Sequence, residues 1–307
     1  MNDPWTLPHP SLIDRSGERR ERVDLDAADA VVVSEGRLLA AGGRLVELAP
    51  PEHPPASLKV YLGRDGDRDL VALVPEDPAF VDGYDGIGGE RLVGLRDLLG
   101  PFAQRGDEGL RDRELAATAV AVSAWHAAHG HCARCGAPTA PAKGGWVRVC
   151  PEDGREHYPR VDPAIIVAIT DEDDRLLLAH AAHWTSRRFS ILAGYVEPGE
   201  TFEQTVHREV YEEAGITLTD VAYAGSQPWP FPASVMVGFT ARATSADVRV
   251  DGEEITEARF VGREELVALI ADGEMVIAPH GSIARRLIEQ WYGAPLADRA
   301  PDARVDV

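Results

Sequence analysis

Between Ala30 and Val74 the apolar residues fall in short runs, AVVVSEGRLLA and LKVYLG…DLVALV, broken by glycine, proline and acidic positions. Runs of that length predict strands, and the glycine-aspartate tips between them predict hairpins, so this part reads as a small β-rich domain. The pattern changes from about Glu108 to His129, where proline is absent, alanine is frequent and Gly130 follows. That combination predicts one long helix with Val122 and Trp125 in the core. After Pro163, AIIVAIT and RLLLAH are apolar at nearly every position and flank the acidic turn DEDD. They predict two strands of a buried sheet joined by a hairpin, with RFSILAG as a third strand running into Gly194.

The stretch GYVEPGETFEQTVHREVYEEAGI, Gly194 to Ile216, switches to helical periodicity. Thr201 followed three residues later by Gln204 is a capping box, which starts a helix near Phe202, and Gly215 supplies its left-handed end. Phe202, Val206, Val210 and Ala214 recur every fourth residue and predict a buried stripe. Further strands are expected around Val221 to Gln227 and Ser234 to Ala243, with helices near Arg263 to Ala271 and Ile283 to Tyr292. The domain they complete is layered α/β/α. The glycine-rich FVDGYDGIGGERLVGLRDLLG lacks both the dinucleotide fingerprint and the lysine-bearing phosphate loop, and reads as a loop entering a short helix. Residues 1 to about 20 read as a loosely attached leading segment and ADRAPDARVDV as a flexible tail.

Charge and composition narrow the functional classes. The chain has 307 residues, 44% of them apolar, and a formal charge of −20. It can bury two ordinary cores, and its mean field repels nucleic-acid backbones except over a local basic patch. A small anionic substrate would have to be met by metal ions. With no apolar run long enough for a membrane span, no secretory pattern at MNDPWTLPHP and three cysteines, the expected compartment is the cytoplasm.

Those cysteines form Cys132-x2-Cys135, a fourteen-residue gap and Cys150. The spacing predicts a zinc ribbon, whose tetrahedral ion wants a fourth ligand. The complete pattern would put cysteine at position 153, where this chain has Asp153, and His157 follows. Zinc accepts carboxylate oxygen and imidazole nitrogen, and Cys3His is the more usual set, which favours His157 slightly. A closed shell of this kind is structural.

The helix acids carry the chemistry. Glu209 and Glu213 are four apart and project from one face, Glu212 lies on the same side, and all three flank the apolar stripe. Like charges at that spacing repel unless a divalent cation or a partner such as Arg208 neutralises them. An isolated E-x-x-E-E fits a solvated acidic helix better than a metal site. The full spacing of Gly194, Glu200, Arg208, Glu209, Val210, Glu212, Glu213, Gly215 and Ile216, however, resembles the Nudix box of the Nudix hydrolases at every defined position. Ten residues on, Ser226-Gln227-Pro228-Trp229-Pro230-Phe231-Pro232-Ala233-Ser234 resembles the SQPWPFPxS array of the NADH pyrophosphatase branch. Its alternating prolines stiffen the segment, which either displays Trp229 and Phe231 to a flat ligand or plugs the sheet edge.

The resemblance implies a Nudix α/β/α sandwich over residues 161–292, a zinc ribbon over 129–160, a β-rich domain over 1–128 and a flexible 293–307. It implies cleavage of the pyrophosphate of NAD(H) to nicotinamide mononucleotide and AMP, with removal of NAD caps from RNA 5′ ends in related members. By the same resemblance Glu209, Glu212, Glu213 and Glu254, with Glu200 and the carbonyl of Ala193, hold Mg²⁺ or Mn²⁺, and one of the glutamates serves as base. Gln227, Pro228, Trp229, Pro230, Phe231, Pro232, Ala233 and Ser234 line the nucleotide pocket with Tyr158 and Ala284, and Arg96 joins from the other domain. A homodimer is implied too. Phe260 stands where the family usually has tryptophan. Other readings are a Nudix hydrolase of different nucleoside diphosphate derivatives, a non-catalytic NAD-binding protein, and an RNA-binding module built on the ribbon.

Overall fold

The computed structural model describes residues 11–77, 89–184 and 187–297. The chain divides into two compact units, one of residues 1–161 with Trp229–Ala233 and one of residues 162–228 with 234–307. The tail beyond Leu296 and most of the glycine-rich loop before Arg91 lie outside the described residues, apart from their margins.

In the first unit, β1 (Asp29–Ser34), β2 (Arg37–Ala41), β3 (Arg44–Leu45), β4 (Glu47–Leu48), β5 (Ala56–Asp65), β6 (Arg68–Pro75) and β7 (Arg91–Gly94) form a seven-stranded sheet. Val31, Val33, Val60, Leu62, Leu70 and Ala72 turn one face towards α1 (Leu95–Ala103) and α2 (Gly106–Ala128), as strand alternation requires. Val122 and Trp125 of α2 are core. Residues 11–14 are not loose: Ile13 is buried, Asp14 bridges Arg64, and the buried Glu114 carboxylate accepts from Ser11 and from the amides of Leu12 and Ile13. A carboxylate that late in α2 has no local signature pointing to residues a hundred positions earlier. The ribbon strands β8 (Ala140–Ala142), β9 (Val147–Val149) and β10 (Glu156–His157) make a small sheet of their own.

The second unit is built on β11 (Asp162–Thr170), β12 (Leu176–Ala181), β14 (Leu192–Tyr195), β15 (Leu218–Trp229), β16 (Ser234–Ala243) and β17 (Ile255–Val261). Their order is β15-β16-β11-β12-β17, with β14 paired to β11 and β16 parallel to β11. Ile165, Val167 and Ile169 pack with Val206, Val210 and Ala214 of α3 (Phe202–Ala214). Ile166 and Ala168 pack instead with α4 (Arg263–Ala271) and α5 (Ile283–Tyr292). Both faces are covered, which is why AIIVAIT is apolar at every position before Thr170. RFSILAG is not one strand: β13 (Arg188–Phe189) pairs with β18 (Val276–Ile277), Ser190 bridges Ala179, and only then does β14 join β11. The partner changes along one apolar run, and periodicity does not encode partners. Among the described residues no helix is long and apolar enough to cross a membrane.

Candidate active site

Helix α3 starts and stops where its sequence dictates. Thr201 Oγ1 accepts from the Gln204 amide at 3.2 Å, the Gln204 side chain accepts from the Thr201 amide at 2.8 Å, and Gly215 takes φ 67°. Val206, Val210 and Ala214 are fully buried, whereas Phe202 is 38% exposed. Burial of the later stripe positions fixes which acids face inward.

Glu213 is 6% exposed, and its Oε2 is buried with no hydrogen-bond partner. Burial first, then the carboxylates of Glu209, Glu254, Asp251 and Glu212, push its pKa up to about 8. Burial likewise raises Glu209, against the pull of Arg208. Glu209 lies directly over Gly194 of β14, where a Cβ would come within 1.9 Å of the carboxyl carbon. The glycine of the box is therefore a seat for the glutamate. Glu254 hangs from a turn held by Asp251, whose carboxylate accepts from the amides of Glu253, Glu254 and Ile255.

Arg208 organises the other side. It meets Glu200 through Nε at 2.6 Å and Nη2 at 2.8 Å, Glu209 and Glu212 through Nη1 at 3.0 Å each, and the Tyr195 carbonyl at 2.9 Å. Glu200 also accepts from Thr205 Oγ1 and the Glu197 amide. These bonds, Arg208 foremost, lower Glu200 to about 2. Both its oxygens are occupied, so Glu200, grouped with the metal ligands from sequence, orients the loop and the arginine instead of offering a free donor. Glu209 and Glu213, with Glu254 and Glu212 at their rim and the exposed Ala193 beside Gly194, make a nest of carboxylates in which Arg208 meets Glu209 and Glu212 and leaves Glu213 Oε2 without a partner. That donor set fits a divalent cation of oxygen preference.

The raised Glu213 has a consequence for stability. A carboxyl that ionises near pH 4.5 unfolded and near pH 8 folded stabilises the fold below the first value, and that contribution is lost as pH rises through the second. Metal-free protein is expected to unfold at lower denaturant concentration at pH 8 than at pH 5.5, and added Mg²⁺ or Mn²⁺ to restore the difference. Urea titrations at both pH values check this; equal midpoints without metal would contradict it.

A cavity of about 400 Å³ opens against Glu213 and Glu254, with Ile166, Ala179, Trp184 and Ser190 among its walls. Trp184 was not legible as a site residue, because a lone aromatic after a strand has no distinguishing pattern. Tyr195 was missed as well: it adjoins Gly194, is 54% exposed, and its hydroxyl lies 3.2 Å from Ser234 Oγ. An aromatic residue directly after Gly194 of the box was the available signal.

The remaining predicted residues are distributed unevenly. Gln227 is buried with its amide satisfied by the Gly281 carbonyl at 2.7 Å and the Ile283 amide at 2.6 Å, so it fastens the turn before α5. Ala284 is packed in the core beneath that turn, and Pro228 is exposed. In the first unit Trp229 and Phe231 meet edge to face at 5.0 Å, rest on its core, and carry Arg96 at 4.4 Å from the Phe231 ring. Pro230 is buried, Pro232 exposed and Ala233 half-buried. Tyr158 is exposed, its hydroxyl donating to Glu156 at 2.5 Å. Cys132, Cys135, Cys150 and Asp153 offer ligand atoms all within 4.8 Å of one another, a group that excludes His157. Backbone amides of Cys135 and Arg134 draw the Cys132 thiol down to about 7. Among the described residues no other group of donors is gathered that tightly. This tetrad fits structural zinc.

A capped helix with inward carboxylates, seated on a glycine at the end of a strand in a sheet covered on both faces, defines a Nudix hydrolase. Residues 160–280 match the NUDIX domain, and residues 127–158 match the NADH pyrophosphatase zinc ribbon domain. The chain is 39% identical over 277 residues to the NAD-capped RNA hydrolase NudC of Mycobacterium tuberculosis, covering 87% of this chain and 84% of that one. It is 41% identical over 194 residues to the NAD-capped RNA hydrolase NudC of Salmonella schwarzengrund, covering 63% and 72%. A solved NUDIX hydrolase from Nitrosomonas europaea aligns at TM-score 0.43 and 23% identity over 54% of this chain and 94% of that one. The protein belongs to the NADH pyrophosphatase, or NAD-capped RNA hydrolase, family of the Nudix hydrolases.

Proposed function

We propose that this protein hydrolyses the pyrophosphate bond of NAD(H), releasing nicotinamide mononucleotide and AMP, and that it removes NAD caps from RNA 5′ ends. The observation that carries this is the buried carboxylate pair of Glu209 and Glu213, the second with an unpartnered oxygen, in a chain alignable through ribbon and Nudix domain with enzymes named for that activity. Glu209, Glu212, Glu213 and Glu254, with the Ala193 carbonyl, are the groups that would hold Mg²⁺ or Mn²⁺. A bound ion of this type screens the phosphoanhydride and lowers the pKa of the attacking water.

The chain's own residues do the positioning. Gly194 gives Glu209 room, Arg208 and Glu200 lock the loop to the helix, and the Asp251 turn presents Glu254. A glutamate of this nest takes the proton from water. Within the first unit Trp229 and Phe231, with Arg96, form an aromatic and cationic surface of the kind that takes a flat ring, and Tyr158 is an exposed ring of the same unit. Incubating the protein with Mn²⁺ and NADH, ADP-ribose or NAD-capped RNA should give reduced nicotinamide mononucleotide and AMP from the first and a 5′-monophosphate RNA from the last. Turnover of ADP-ribose alone would point instead to another nucleoside diphosphate derivative as substrate.

A further inference from the structure

The ribbon contains two turns of the same construction. In the first, Cys132-Ala-Arg-Cys135-Gly136, the Gly136 amide donates to the Cys132 carbonyl at 2.9 Å and Gly136 takes φ 76°. In the second, Cys150-Pro-Glu-Asp153-Gly154, the Gly154 amide donates to the Cys150 carbonyl at 3.0 Å and Gly154 takes φ 70°. A left-handed residue closing each turn lets the fourth side chain point back at the first, and only glycine takes that conformation without strain. Asp153 therefore occupies in the second turn the place that Cys135 has in the first.

The distances agree with a coordination polyhedron. Two sulfurs about 2.3 Å from a tetrahedral zinc stand about 3.8 Å apart, and a sulfur and a carboxylate oxygen about 3.6 Å apart. Cys135 and Cys150 are separated by 3.5 Å, and Cys132 Sγ lies 3.8 and 4.0 Å from the two oxygens of Asp153. Asp153 is already oriented, with Oδ1 accepting from the Arg155 amide at 3.0 Å and Oδ2 3.6 Å from Arg155 Nε. His157 sits on β10 opposite Arg148, outside the tetrad, yet its ring reaches Cys132 and helps to lower that thiol's pKa. That makes it the competing ligand, and a position in a strand does not reproduce the turn.

We infer that this ribbon binds zinc through three thiolates and the Asp153 carboxylate, with His157 outside the coordination shell. This reverses the slight preference for His157 that ligand frequency gives. A carboxylate carries the same single charge as a thiolate, so the charge of the site is unaltered. Its oxygen is harder than sulfur, however, and holds zinc less strongly. The ribbon metal is accordingly more exchangeable than one held by four cysteines. The inference concerns the ribbon alone and stands whether or not NAD(H) is the substrate.

The test uses the full-length protein and reads the metal, not turnover. With zinc replaced by Co²⁺, Asp153→Cys should raise the thiolate-to-cobalt charge-transfer absorbance by about one third, from three sulfurs to four, and slow zinc transfer to a chromophoric chelator. Asp153→Ala should speed that transfer at least about tenfold, and His157→Ala should change neither reading. An unchanged charge-transfer band in Asp153→Cys, faster zinc loss in His157→Ala than in Asp153→Ala, or wild-type protein that takes up no zinc would overturn it.

Discussion

Glu213→Gln is expected to lower kcat by about 10³ on NADH with Mn²⁺, while the protein stays folded. Glu213 is the most deeply buried acid of the nest and the one whose oxygen has no partner in the chain, so the charge it gains on losing its proton serves a cation and not the fold. Removing that charge costs the ion a ligand, and the loss of several kcal/mol of charge stabilisation translates to a factor of that order. The same change should stabilise the metal-free protein at pH 8, because it deletes a carboxylate that burial and four neighbouring acids oppose. The two effects have opposite signs, which separates a functional loss from misfolding. Steady-state turnover and thermal melts of the same preparation measure both. Near-normal turnover in Glu213→Gln would remove the carboxylate nest from the chemistry.

Gly194→Ala should be almost as damaging to turnover and cost little stability. The new methyl would lie 1.9 Å from the Glu209 carboxyl carbon and 2.1 Å from its nearer oxygen, so one of the two must move. The carboxylate is the far end of a flexible side chain and yields before β14 does, since that strand is paired to β11 from Ala164 to Val167. Displacement of about 1 Å at a reacting centre is worth about 10²-fold. The expected result is a Mn²⁺ affinity reduced at least tenfold and kcat/KM reduced about a hundredfold, with a melting temperature within a few degrees of wild type. Manganese binding followed by electron paramagnetic resonance checks the first quantity directly. Unchanged binding would mean that Glu209 can be moved without consequence and is not a ligand.

Much of the site was legible because its parts are local. The capping box Thr201/Gln204, the glycine end at Gly215 and the stripe Val206, Val210, Ala214 each depend on residues within a turn or two of one another, and the folded chain reproduces them. The alternation of AIIVAIT between two helical layers follows from strand geometry alone. Less was legible wherever a side chain chooses a distant partner. Phe202 fits the stripe by period but is 38% exposed. Gln227 belongs to the aromatic array by sequence and spends both ends of its amide on the turn before α5.

By itself the sequence determined the order of elements, the start and stop of the box helix, and the family, because spacing along a regular helix or strand dictates which side chains share a face. Only the tertiary structure decided which of those side chains remain unsatisfied. Glu200 and Glu213 are equal members of one motif, yet Arg208 neutralises the first while burial against the sheet strands the second. Asp153 and His157 are both candidates in the sequence, with ligand frequency slightly favouring His157, whereas the fold gathers Asp153 within 4.8 Å of the three sulfurs. Burial and pairing depend on residues brought from far along the chain, and the pattern of neighbours carries no record of them.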